Sequence, residues 1–338
     1  MSERMPECKP AEESKSILYN VPYRSSYDGT MLYADFFIPP KPAPLLLYFH
    51  GWHLTKESAH RTLDVFARDF LVVNVDMRGR GECGGKPDCN CWELLDGIDA
   101  LNYARQHFAQ HIAAGDLAYC FGGSGGGGNT LAAMAKFPDH FAAGVAMCPI
   151  SDYAMWYEGD TKGEFRDEMD VWIGRPPAEA PEAYRSRSGL YLLENLQAPL
   201  RLYHGSADER VPVAHSRQYK ERADSLGKKV EYVELDGAGH SLSEEAFSGE
   251  ILDFFHKHAS VTRLPREGFW RIGGYLQTRR QRVELTSSEA WVEARYLLDE
   301  DGYLKQLEIL GDAGVDAGVG YRIVDLPQIQ IDNPISIS

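Results

Sequence analysis

The chain has 338 residues, with 35 Lys and Arg against 50 Asp and Glu, giving a net charge of −15. That acidity disfavours a nucleic-acid backbone or an anionic membrane surface as partner, while 43% hydrophobic and 25% charged residues suit a water-soluble globular protein. No stretch approaches the ~18 apolar residues of a membrane span, and Met1–Lys15 lacks the apolar core of a secretory signal; the expectation is a cytoplasmic protein.

Residues 17–39 read as two alternating apolar runs joined at Asp28-Gly29, a hairpin. Short, almost wholly apolar runs follow: Leu45–His50, Phe70–Asp76, Leu117–Phe121, Ala142–Cys148, Leu200–Gly205 and Val230–Leu235. Such runs fit strands covered on both faces, as a parallel sheet requires. Segments of helical spacing lie between them, among them SAHRTLDVFARDF, WELLDGIDALNYARQHF and NTLAAMAKF. VPVAHSRQYKERADSL and SEEAFSGEILDFFHKH follow the last two strands. The alternation predicts an α/β fold with helices on both faces. Residues 151–198 are too long for one crossover and predict two or three short helices capping an edge of the sheet, rich in aromatic residues. Residues 260–338 alternate as strands, one pair hinged at Asp301-Gly302, and predict a small β-rich appendage behind a catalytic domain at 1–259. The expected role of the appendage is contact between copies of the chain.

Cys120 and Cys148 lie in apolar runs and read as small core residues. Cys83, Cys89 and Cys91 share a Gly/Pro-rich loop without the fourth ligand of a zinc site or a CxxC pair. With Cys8, these six are expected to be reduced thiols, and no metal or other cofactor is implied.

Six glycines surround one serine in AYCFGGSGGGGNT, residues 118–130, between a strand-like and a helix-like run. A P-loop is excluded, because the position after Gly127 is Gly128 rather than lysine. Gly123, Gly125 and Gly128 satisfy a dinucleotide fingerprint, but they follow the fifth strand, and no second strand ends in an acid about 20 residues on. The third chemistry is the nucleophile elbow GxSxG, formed by Gly122, Ser124 and Gly126. Small residues flanking the serine let a sharp strand-to-helix turn lift its hydroxyl clear of the sheet. The remaining glycines are expected to leave open space above the turn.

A serine needs a base and a group that orients the base. Asp208 in HGSADERVP follows one later strand, and His240 in DGAGHS follows the next, before a helix expected near Ser243. Both fall at the carboxyl end of the sheet with Ser124, in the order Ser–Asp–His. Singly, Asp208 could cap a helix near Val213 and His240 could be a solvated loop residue. Asp236 is the rival acid, but lies only four residues before the histidine and is expected to turn with Gly237. His50 is expected to hold its loop together, and His53 and His60 to be surface or loop residues. An oxyanion would be held by the Gly125 amide and by the Trp52 amide after His50-Gly51. The Trp52 indole is placed either to wall the acyl pocket or to pack.

FHGW, DMRGRG, GGSGG, HGSADERVP and GAGHS, in this order, resemble an α/β-hydrolase close to the prolyl oligopeptidase and acetyl-ester hydrolase branches. The resemblance runs from the hairpin to about Ala259 and implies Ser124 as nucleophile, His240 as base and Asp208 as its orienting acid. Arg78 of DMRGRG matches a position that shapes the loop. Relatives that cleave peptides in a gated cavity carry a propeller ahead of the catalytic domain, and many have tyrosine where this chain has Gly125. The expectation is a serine hydrolase of a small-molecule carboxylic ester. A small peptidase or acyl-amino-acid hydrolase, and a non-catalytic binding protein on the same fold, are the alternatives.

Overall fold

The structure is a computed structural model, and it describes residues 16–310 and 319–327. Cys8 and the N-terminal stretch lie outside the described residues. The hairpin forms as expected from β1 (Ser16–Arg24) and β2 (Met31–Ile38), with Gly29 at φ 75° in the turn. The apolar runs become β3 (Leu45–Phe49), β4 (Leu71–Val75), β5 (Ala118–Gly123), β6 (Ala143–Met147), β7 (Leu200–Gly205) and β8 (Val230–Leu235). They build one eight-stranded sheet in the order β1-β2-β4-β3-β5-β6-β7-β8. Every pairing from β4 to β8 is parallel; β2 runs antiparallel to its neighbours β1 and β4. This is the α/β-hydrolase fold.

Strand alternation sends side chains to two cores. Leu45, Leu47 and Phe49 point to the face covered by α2 (Trp92–His107), α3 (Gly125–Lys136) and α8 (Ala214–Ser225). Leu46 and Tyr48 point to the opposite face, under α1 (His60–Phe66) and α9 (Ser248–Lys257). Two sequence-based boundaries move. The helix after β5 starts on the glycines at Gly125, because packing rather than helix propensity holds its first turn. The last helix starts at Ser248 instead of near Ser243, which leaves His240 on a long loop.

The segment after β6 holds four short helices rather than two or three, α4 (Tyr153–Gly159), α5 (Arg166–Trp172), α6 (Pro181–Arg185) and α7 (Gly189–Leu192), plus a 3₁₀ turn at Leu193–Asn195. Asp152 caps α4 by accepting from the Ala154 and Met155 amides. Trp52, Tyr153, Trp156, Phe165, Met169, Trp172 and Tyr184 form a separate core beneath these helices. The C-terminal strands are β9 (Glu267–Gly273), β10 (Tyr275–Gln277), β11 (Gln281–Leu285), β12 (Trp291–Leu298), β13 (Leu304–Leu310) and β14 (Tyr321–Asp325). They make a six-stranded antiparallel sheet, ordered β13-β12-β9-β10-β11-β14, over a core in which Trp270 stacks on Tyr296 at 3.9 Å.

That sheet is docked on the larger one through buried groups. Tyr275 stacks on Trp92 at 4.9 Å and donates to the Cys91 carbonyl at 2.9 Å. Asn195 donates to the Arg271 carbonyl and accepts from its amide. Lys136, at the end of α3, donates to the Gly273 carbonyl. Among the described residues no helix is long and apolar enough to cross a membrane.

A buried polar network fixes the start of α3 to the cap. Asn90 donates to the carbonyls of Gly128 and Arg187, while Asn129 donates to Asn90 Oδ1 and Glu93 Oε1. Burial, helped by the nearby Asp88 charge, pushes the Glu93 carboxyl up to about 7 from its ordinary 4.5. A carboxyl raised in the folded state contributes stability below its unfolded pKa, and that contribution is lost as pH rises through the folded value. Glu93→Gln keeps the accepting oxygen and removes the titration. Its unfolding free energy in urea should therefore gain on the wild type between pH 4.5 and 7, with a constant difference above that window.

Candidate active site

The turn from β5 into α3 is an elbow. Ser124 sits at φ 57° and ψ −119°, a strained backbone for a side chain with a Cβ. Its amide donates to the Met147 carbonyl at 2.8 Å, which ties the bend to β6. The flanking glycines are required by close approach. A Cβ on Gly122 would fall 2.4 Å from the Gly126 carbonyl oxygen, and one on Gly126 only 2.0 Å from that of Phe49. The expectation that the further glycines leave open space is overturned. A Cβ on Gly127 would meet Met147 O at 2.9 Å, and one on Gly128 would meet the Tyr153 hydroxyl at 2.7 Å. The first turn of α3 is wedged against the ends of β3 and β6, and glycine is what fits.

The three residues expected to act together do meet. Ser124 Oγ lies 2.9 Å from His240 Nε2, and His240 Nδ1 lies 2.7 Å from Asp208 Oδ2. Asp208 Oδ1 accepts from the Arg210 and Val211 amides, both at 2.9 Å, so its two oxygens are divided between its own loop and the imidazole. Helix α8 starts later, at Ala214. Burial alone would raise the Asp208 pKa, but hydrogen bonds from His204, His240 and the Val211 amide hold it well below the usual carboxylate range. It is therefore ionised at neutral pH and fixes which imidazole nitrogen carries the proton. The acid and histidine loops approach closely because Gly205 has no side chain; a Cβ there would fall 2.3 Å from Ala238 O. Asp236 faces away, accepting from Ser206 Oγ.

The expected oxyanion donors also lie side by side. A Cβ on Gly125 would be 2.7 Å from the Trp52 amide nitrogen, and Gly125, as first residue of α3, has an amide without an intrahelical acceptor. Arg80 anchors the Trp52 loop by donating to the Trp52 carbonyl at 2.8 Å, with its guanidinium 4.5 Å from the Trp172 ring centroid. His50 is buried, donates through Nδ1 to the Gly51 carbonyl and accepts the Met77 amide at Nε2, so it holds the loop as expected. Arg78 grips Asp96 through Nε and Nη2 at 2.7 and 2.8 Å and also reaches Asp28, a loop-shaping role. His53 is exposed and pairs with Glu168 at 3.0 Å; His60 opens α1 and pairs with Asp35.

A cavity of about 250 Å³ opens over Ser124. Trp52, Trp156 and Phe165 wall one side, with Tyr48, Leu242 and Glu244 among its other lining residues. The Trp52 indole both lines it and packs, 4.9 Å from Trp156, and it donates to Glu168. Three polar groups near the centre escaped sequence reasoning. Cys148, read as a core residue, is buried but lines the cavity, held at φ 44° with its thiol donating to the His240 carbonyl. His204 reaches both the Val211 carbonyl at 2.8 Å and Asp208 at 3.3 Å; its place in HGSAD was the available signal. Glu244 accepts from the Tyr48 hydroxyl across the fold, a contact no local pattern announces.

Cys148, His204 and Asp208 bring ligand atoms within 4.8 Å of one another. Burial pushes the Cys148 thiol up to about 12, which opposes the thiolate a metal needs, and Asp208 is committed to the two histidines. Cys83, Cys89, Cys91, Cys120 and Cys148 are all free thiols.

The fold is the α/β-hydrolase scaffold, with a serine, a histidine and an aspartate in hydrogen-bond sequence at the carboxyl end of its sheet. The model of the prolyl oligopeptidase family matches residues 57–262, and the chain belongs to that family. The match contains Ser124, Asp208 and His240 and stops short of the C-terminal sheet. An uncharacterized peptidase of Bacillus subtilis, YtmA, is 28% identical over 171 residues, 51% of this chain and 65% of that protein. Esterase LipC of Mycobacterium tuberculosis is 25% identical over 226 residues, 61% of this chain and 54% of its own length. The chain thus spans less than two thirds of either relative. Among solved structures, a puromycin hydrolase superposes with TM-score 0.63 at 20% identity over 77% of this chain and 42% of its own. The Pyrococcus furiosus esterase Pf2001 gives 0.58 at 17% over 77% and 99%.

The wedge at the elbow is directly testable. Gly126→Ala should lower the melting temperature by on the order of 10 °C or prevent folding, as followed by circular dichroism; an unchanged melting temperature would contradict the packing.

Proposed function

We propose that the protein hydrolyses carboxylic esters of small molecules through an acyl-enzyme on Ser124. The observation that carries this reading is the continuous line from the Ser124 hydroxyl through the His240 ring to the Asp208 carboxylate, at 2.9 and 2.7 Å. A hydroxyl at its ordinary acidity is a weak nucleophile, and an imidazole in hydrogen-bond contact removes its proton as the bond to carbon forms. His240 Nε2 takes the Ser124 proton while Oγ attacks the carbonyl. The amides of Gly125 and Trp52 stabilise the charge that develops on the carbonyl oxygen. His240 then gives the proton to the departing alcohol. Water, deprotonated by the same nitrogen, attacks the acyl-enzyme, and collapse of that intermediate frees the acid and restores the serine. Asp208 stays ionised throughout and steadies the imidazolium.

The apolar lining from Trp156, Phe165, Leu54 and Leu242 supports a compact apolar acyl or alcohol group. The same machinery cleaves amides when the leaving amine is protonated, and relatives carry both peptidase and esterase names. Matched p-nitrophenyl esters and aminoacyl p-nitroanilides therefore separate the two readings, the proposal expecting the higher kcat/KM on the esters.

Ser124→Ala should lower kcat on a short-chain p-nitrophenyl ester by about 10⁴-fold or more. Asp208→Asn, which keeps the shape and removes the charge, should lower it by about 10⁴-fold as well. Steady-state kinetics on the purified variants checks both, and a Ser124→Ala enzyme with wild-type turnover would end the proposal.

A further inference from the structure

Four carboxylate, imidazole or guanidinium side chains line the cavity over Ser124: His53, Arg210, His240 and Glu244. Three have a carboxylate partner. His53 pairs with Glu168, Arg210 with Glu164, and His240 with Asp208. Glu244 has no cationic partner among the described residues; both its oxygens accept from one neutral hydroxyl, that of Tyr48, at 3.1 Å.

The surroundings hold this carboxylate beside the nucleophile. Gly123 immediately precedes Ser124, and a Cβ on it would fall 2.7 Å from Glu244 Oε1, so the missing side chain is what admits the acid to the elbow. Tyr48 is buried on β3 with its ring edge-on to Phe121 at 5.4 Å, which fixes the hydroxyl. Burial pushes the Glu244 carboxyl up to about 7, opposed only by the Tyr48 hydrogen bond. When ionised, this half-buried carboxylate with a single neutral donor has lone pairs and charge left to satisfy. A neutral donor would meet only the first need. An ammonium meets both, through short charge-assisted hydrogen bonds.

We propose that Glu244 is a specificity-determining residue that binds a protonated amine carried close to the scissile carbonyl, so that amine-bearing substrates are preferred to their uncharged isosteres. The inference deepens, and rests on, the reading of Ser124 as nucleophile. It predicts selection by charge at the elbow itself, in addition to selection by apolar fit under the cap helices.

Two isosteric pairs test it, one with the amine on the acyl side and one on the alcohol side. They are alanine methyl ester against methyl isobutyrate, and 2-(dimethylamino)ethyl propionate against 3-methylbutyl propionate. In at least one pair the amine-bearing ester should have a kcat/KM higher by about 10-fold or more. That ratio should fall to within about threefold of one in Glu244→Gln. Absence of a preference in both pairs, or a preference that survives Glu244→Gln, would overturn the inference while leaving the hydrolase intact. Failure of all four esters to turn over would count against the hydrolase reading instead. The affinities of alaninamide and isobutyramide for the Ser124→Ala protein then decide: tighter binding of alaninamide supports the role of Glu244, and equal binding overturns it.

Discussion

The start of α3 is pressed so closely on the end of β3 that the Gly126 position has no room for a side chain, and the rest of the site is arranged around that contact. A Cβ there would overlap the Phe49 carbonyl oxygen. Because the helix cannot back away, the chain leaving β5 must turn within one residue, and Ser124 takes the strained backbone that results. The strain is sustained by packing on several sides: the Met147 carbonyl beneath the Ser124 amide, Asn90 at the Gly128 carbonyl, and Asn129 held by Asn90 and Glu93. The geometry that exposes the hydroxyl is therefore a property of the sheet and its neighbours, and not of the loop alone.

The other members of the site are held by comparable constraints. Asp208 divides its oxygens between two backbone amides and two histidines, so its loop and its charge are set together. Arg80 ties the Trp52 loop to the cap helices, linking the expected oxyanion donor to the wall of the cavity. The C-terminal sheet reaches the same framework from below. Lys136, the last residue of α3, bonds to β9, and Tyr275 stacks beneath the start of α2. The elbow helix is thus gripped at both ends, by the central strands at one and by the appended sheet at the other.

Much of this was legible from the chain alone. Six apolar runs of strand length mark a buried parallel sheet, and Ser124, Asp208 and His240 follow the carboxyl ends of β5, β7 and β8, so their convergence at one sheet edge follows from topology. Helix propensity misled at α3, where four glycines open a helix because close packing outweighs their cost. It misled again after β8, where acidic residues resembling a helix start belong to the loop carrying His240. The residues that escaped notice depend on tertiary contact. Cys148 looks like any core cysteine until the strand end bends beneath His240. Glu244 gains meaning only from Tyr48 and Gly123, which are distant in sequence.

The central claim is that one strained serine is activated by its imidazole neighbour. Treating the protein with a fluorophosphonate and mapping the modified peptide by mass spectrometry tests this most directly. A single adduct on Ser124 is expected, forming rapidly in the wild type and no faster than background in a His240→Ala protein. An unmodified Ser124, or labelling that proceeds equally without the imidazole, would contradict it.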